Sequence, residues 1–157
     1  TEQGLAGIVM TKGNPSCHVI LRGGRQGPNY DHAHVERVLG MLRDAGLGTG
    51  VMIDASHDNS GKDHRKQAEV VRDVARQVAD GQRGIAGLMI ESFLFEGRQD
   101  LVDPARLTYG QSITDACIGW ETTATLLREL ADAVRARRAS VSPTSASAGT
   151  RTPATSR

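Results

Sequence analysis

Three short apolar runs punctuate the chain: 17–21 (CHVIL), 51–55 (VMIDA) and 85–90 (IAGLMI), each bounded by glycine or polar residues. Runs of this length, rich in Val, Ile, Leu and Met, read as strands buried on both faces of a parallel sheet. In the first interval Val35, Val38, Leu39 and Leu42 recur at i, i+3, i+4, i+7, which predicts an amphipathic helix over 31–45, capped by Asp31 and stopped by Gly46. The second interval repeats the pattern with Val71, Val74, Ala75 and Val78, predicting a helix over 62–79 that stops at Gly81. A third helix is expected over 120–138, with Leu127, Leu130, Ala131 and Val134 as its stripe and Arg135, Arg137 and Arg138 at its negative end. Between them, 92–111 contains Gly97, Pro104 and Gly110 and has no helical period, so it reads as a long loop leading to a short fourth strand at 112–114. Residues 139–157, almost all Ser, Thr, Ala, Pro, Gly and Arg, offer too little apolar surface to offset ordering and read as a disordered tail.

Strand–helix–strand alternation implies an α/β fold with right-handed crossovers and a parallel sheet of about four strands. Such a unit is half of an eight-stranded β/α barrel or part of an open doubly wound sheet. A complete barrel takes roughly 250 residues, so 157 residues cannot close one alone.

Composition narrows the picture. With 38% hydrophobic and 24% charged residues, the chain supports one globular unit, assigned to 1–138, with the tail at 139–157. Nineteen basic and eighteen acidic residues are scattered and leave a net charge of +1, which excludes a nucleic-acid footprint and an electrostatic membrane contact. No apolar run approaches the roughly 18 residues of a membrane span, and the N-terminus has no basic-then-apolar secretion layout. Two cysteines, Cys17 and Cys117, imply a reducing compartment. The expectation is a soluble cytoplasmic protein.

In parallel α/β folds ligands sit at the carboxyl ends of the strands. The residues ending each run are Arg22, then Asp54 and His57, then Glu91, then Asp115. His57, Glu91 and Asp115 make a ligand set suited to a divalent transition metal with a position open to substrate. Arg22 beside two glycines can meet a phosphate or carboxylate with its planar fork. Each residue alone is equally compatible with a structural role, Glu91 as a cap of the following loop, for example. Asp54 reads as an orienting partner rather than a ligand. His32, His34 and His64 read as solvated. The Gly46-Leu47-Gly48-Thr49-Gly50 segment precedes a strand, the reverse of a nucleotide-binding turn. Gly61-Lys62 has no upstream glycine for a phosphate loop, and Arg22-Gly23-Gly24-Arg25 is too short for an RNA-binding repeat.

Taken together, CHVILRGG (17–24), GPNY (27–30), VMIDASHDNSGK (51–62), GLMIES (87–92), EG (96–97) and YGQSITDACIGWE (109–121) closely resemble the C-terminal half of the type I 3-deoxy-D-arabino-heptulosonate 7-phosphate (DAHP) synthases, in order and spacing from about Gly13 to Arg138. The resemblance implies half of a (β/α)8 barrel and the first step of the shikimate pathway, in which phosphoenolpyruvate and erythrose 4-phosphate condense and phosphate is released. It implies one divalent metal (Mn, Fe, Co or Zn) on His57, Glu91 and Asp115, with His57 and Asp115 catalytic and Arg22 contacting phosphoenolpyruvate. The family's fourth ligand, a cysteine near a Lys-Pro-Arg-Thr segment, has no counterpart here, and Cys117, two residues from Asp115, is a poor stand-in. The expectation is therefore a truncated or split synthase that needs an N-terminal half-barrel chain or a homo-oligomer. The alternative is a non-catalytic half-barrel remnant that binds metal or associates with a partner chain.

Overall fold

The computed structural model describes residues 4, 6–48 and 50–140. The expected tail lies, from residue 141 on, outside the described residues. Three parallel strands, β1 (Val19–Leu21), β2 (Val51–Asp54) and β3 (Ile85–Met89), lie in the order β1-β2-β3. Val19 stands opposite Val51, and Ile53 opposite Leu88. Helices α1 (His32–Asp44) and α2 (Gln67–Ala79) make the crossovers, and α3 (Trp120–Ala139) follows β3 after a long irregular segment. Local chemistry sets the helix ends. The Asp31 carboxylate accepts from His34 N at 3.1 Å and closes the first turn of α1. At its other end Gly46 takes φ +71° and Leu47 N donates to Leu42 O at 2.8 Å, a reversal that favours glycine. Gly81 at φ +109° ends α2 in the same manner.

One core holds these elements together. Val51 and Ile53 are fully buried against Leu21, Ile85, the Val70, Val71 and Val74 face of α2, and Leu126 of α3. Pleat alternation turns Ile20 and Met52 to the other face, where Ile20 is 41% exposed.

Three expectations change. The fourth strand does not form: around 112–114 the only pairing is a single bridge from Arg98 to Ser112, and Ile113 is exposed. Thr114 N donates to Ser112 Oγ at 3.2 Å, a local turn that competes with a ladder. The second helix starts at Gln67 rather than at 62, because Gly61 and Lys62 both have φ +62°, which breaks a right-handed helix; short 3-10 turns occupy His57–Asn59 and His64–Lys66 instead. On α3 the buried stripe is Thr123, Leu126 and Ala133, with Leu130 and Val134 beside it, while Leu127 is 51% exposed. Either leucine of the pair satisfies the period, and packing against α2 selects Leu126.

Candidate metal centre

The carboxyl end of β2 begins the site. Asp54, 3% exposed, directs Oδ1 to Ser56 N at 2.9 Å and Ser56 Oγ at 2.8 Å. Its Oδ2 lies 2.7 Å from Nδ1 of His57, and Ser56 Oγ is also 2.7 Å from that nitrogen. An ionised carboxylate only accepts, so Nδ1 carries the proton and Nε2 keeps a lone pair for a ligand. Asp54 thus takes the orienting position expected of it. His57 itself adopts φ +47°, a left-handed conformation at a non-glycine residue.

Glu91 follows β3. Its backbone is clamped by Gln67, whose amide donates to Glu91 O at 3.1 Å and accepts from Glu91 N at 2.8 Å; Ile118 N adds a bond to the same carbonyl at 3.0 Å. Asp115 is exposed on the loop that this bond anchors, held further by the paired bonds between Gly97 and Cys117 at 2.9 and 3.1 Å. One donor atom each from His57, Glu91 and Asp115 lies within 4.8 Å of the others. Burial, and next the charge of Asp115, pushes the Glu91 carboxyl above its ordinary value.

A cavity of about 270 Å³ opens over these residues and is also lined by Arg22, Lys62 and His64. His64 is not merely solvated as expected: its Nε2 meets Glu96 Oε1 at 3.0 Å, joining the β2 loop to the segment after β3. His34 likewise meets its own cap, Asp31 Oδ2, at 2.5 Å. Nothing in the helical periodicity places Glu96 near His64.

The residues missed by sequence reasoning are amides. Asn59, 4% exposed, donates to Leu21 O at 3.0 Å and Asp54 O at 2.7 Å, and accepts from Asn29 N at 2.8 Å. Asn29 in turn accepts from Gly23 N at 2.7 Å. This chain of bonds ties the Arg22 turn to the His57 loop. Gln67, fully buried, does the equivalent for Glu91. The signal available was a polar residue embedded in otherwise apolar or turn sequence, and it carries no partner information by itself.

The donor set fits a divalent cation. Two carboxylates and an imidazole each bring one donor atom within 4.8 Å of the others, and a cation there would offset the burial, and next the Asp115 charge, that raise the Glu91 carboxyl. Cys117 does not join them: its sulfur faces Asp115 O at 3.5 Å and burial pushes its thiol up, away from the thiolate a metal needs.

No described helix is long and apolar enough to cross a membrane. The chain is 54% identical over 142 residues to the phospho-2-dehydro-3-deoxyheptonate aldolase of Haemophilus influenzae, covering 90% of this chain and 39% of that protein. It is 52% identical over 147 residues to the enzyme of that name from Corynebacterium glutamicum, covering 88% and 39%. The solved structure of the Francisella tularensis phospho-2-dehydro-3-deoxyheptonate aldolase superposes with a TM-score of 0.77 at 48% identity, covering 88% of this chain and 40% of that one. The chain thus spans about two fifths of the length of these relatives. Residues 2–128 match the model of the DAHP synthetase I family, and the chain belongs to that family.

Proposed function

We propose that this chain supplies the metal-binding and part of the substrate-binding side of a DAHP synthase, as the C-terminal half of a (β/α)8 barrel. The observation that carries the reading is the convergence of His57, Glu91 and Asp115 within 4.8 Å on a cavity that Arg22 also lines. His57, Glu91 and Asp115 would hold the ion, with identity among Mn, Fe, Co and Zn left to their mixed nitrogen and oxygen donors. When bound, a divalent ion supplies Lewis acidity toward the aldehyde of erythrose 4-phosphate. The residues do the rest. Asp54 keeps the His57 proton on Nδ1, so the ring cannot turn its free nitrogen away from the site. Arg22 presents two parallel donors to the phosphate or carboxylate of phosphoenolpyruvate. The condensation joins carbon 3 of phosphoenolpyruvate to the aldehyde carbon, water adds at carbon 2, and inorganic phosphate leaves. Asp115, exposed at the cavity, would take part in catalysis as well as hold the ion. Phosphate-bearing substrates need contacts beyond Arg22, part of which in this reading come from an N-terminal half-barrel.

Dialysis against Mn²⁺ or Zn²⁺ tests the centre. One ion per chain is expected, with affinity falling about 100-fold or more in His57→Ala. The 157-residue chain alone is expected to release no phosphate from phosphoenolpyruvate with erythrose 4-phosphate, and to do so once a separately expressed N-terminal half from the Haemophilus influenzae relative is added. Absence of stoichiometric metal binding would refute the centre. Metal binding without complementation would favour a non-catalytic metal-binding module.

A further inference from the structure

We infer that Lys62 is a second anion-binding group of this site, acting with Arg22 as a two-sided cationic clamp for a phosphate-bearing substrate beside the metal centre; the inference rests on the proposed function. Three observations carry it. First, Lys62 and Arg22 line the same cavity as His57, Glu91 and Asp115, yet neither forms an ion pair among the described residues. The third base on that wall, His64, is already engaged by Glu96. Second, Lys62 is held in place. Its N–H donates to His57 O at 2.7 Å, so lysine and metal-binding histidine close one loop. Asn59 roots that loop to the ends of both β1 and β2. Third, Lys62 has φ +62°, where a lysine is strained and a glycine is not. His57 is the only other described non-glycine residue with positive φ, and it lines the same cavity. Backbone strain retained at a residue whose ammonium forms no ion pair among the described residues points to a role for the side chain itself.

Charge balance gives the reason. Asp54, Glu91 and Asp115 together outweigh a divalent ion by one negative charge. A site of that sign repels phosphoenolpyruvate. Arg22 brings it to neutrality, and Lys62 makes it net positive, the condition for drawing a polyanion into a partly desolvated pocket.

Calorimetric titration of the Mn²⁺-loaded 157-residue chain with phosphoenolpyruvate, and separately with sulfate, tests the clamp. The wild-type chain should bind phosphoenolpyruvate saturably, Lys62→Met should weaken binding about tenfold, and Lys62→Arg should retain most of it. Mn²⁺ affinity should stay within about twofold in both variants, since the lysine is no ligand. Lys62→Gly should lose anion affinity as Lys62→Met does while melting at or above the wild-type temperature, because glycine releases the backbone; a merely structural lysine would show no such split. Lys66→Met, on the same loop but away from this cavity, should bind as wild type does. Wild-type affinity in Lys62→Met, or no saturable binding in the wild-type chain, overturns the clamp while leaving the metal centre standing. Failure of the wild-type chain to take up Mn²⁺ overturns both.

Discussion

The two flanks of the sheet are built differently. On one side α2 buries eight of its residues between β2 and α3, with Val71 and Val74 at zero exposure and Leu126 of α3 closing the layer. Toward the β1 edge, α1 buries three, Val35, Leu39 and Leu42, and meets the sheet at β2, while of the three-residue edge strand β1 only Leu21 is buried. The candidate site straddles this boundary. His57 and Glu91 rise from the well-packed side through Asp54 and Gln67, whereas Arg22 sits on the thin side and reaches its place through Asn29 and Asn59. The candidate metal-ligand geometry is therefore supported by the core, and the arginine proposed to contact substrate by a short chain of amide hydrogen bonds.

Core truncations should break this contrast most strongly. Leu126→Ala is expected to cost stability toward the upper end of the ~2–5 kcal/mol range for buried leucine, and Leu42→Ala toward the lower end, since α1 can settle onto a thinner layer. Urea unfolding of both variants checks the order, and equal losses would mean the two flanks are equally packed.

Next comes the seam itself. A Cβ at Gly23 would lie 2.7 Å from Asn59 N and from the carbonyl carbon of Asp58, at φ +76°, so Gly23→Ala should cost about 2–3 kcal/mol and separate the Arg22 turn from the His57 loop. Gly24→Ala meets no atom within 4 Å and should change stability by less than about 0.5 kcal/mol. Loss of anion binding with metal binding intact in Gly23→Ala would sharpen the division of labour; joint loss would erase it.

Electrostatics gives a smaller, signed effect. The folded Glu91 carboxyl titrates above its unfolded value, so its contribution to metal-free stability is fully present below the unfolded value and is lost as pH rises through the folded one. Metal-free Glu91→Gln should therefore be the more stable protein at neutral pH, with the advantage shrinking as pH falls below the ordinary glutamate range, while its metal affinity drops. Thermal melts across pH 3–8 with a chelator present would read the sign; an advantage that grew at low pH would contradict it. The smallest effect belongs to Arg72, which joins α2 to Glu129 of α3 at 3.0 Å on the half-exposed surface. Arg72→Ala should cost less than about 1 kcal/mol, and less again in high salt.

Much of this was legible in the sequence because the physics behind it is local. The strand cores, the caps at Asp31, Gly46 and Gly81, and the polar residues that end β1, β2 and β3 follow from side-chain periodicity and from backbone conformations only certain residues tolerate. Pleat and strand direction then bring Arg22, His57 and Glu91 to one rim without knowledge of any long-range contact. Asp115 was reached by the same logic for a different reason: no strand carries it, and the pairing of 117–118 with 91–97 does.

What the chain could not specify alone are choices between locally equal alternatives. Leu126 and Leu127 fit the helical period equally, and only contact with α2 buries one and exposes the other. His64 and Glu96 are 32 residues apart, so their pairing exists only once two loops meet. Asn59 and Gln67 are ordinary polar residues in sequence; burial makes them indispensable, because a desolvated amide must find partners, and the partners these two find are the backbone ends that set the candidate site. Local propensity determined which residues reach the rim, and long-range packing, which decides where water is excluded, determined which polar groups hold them there.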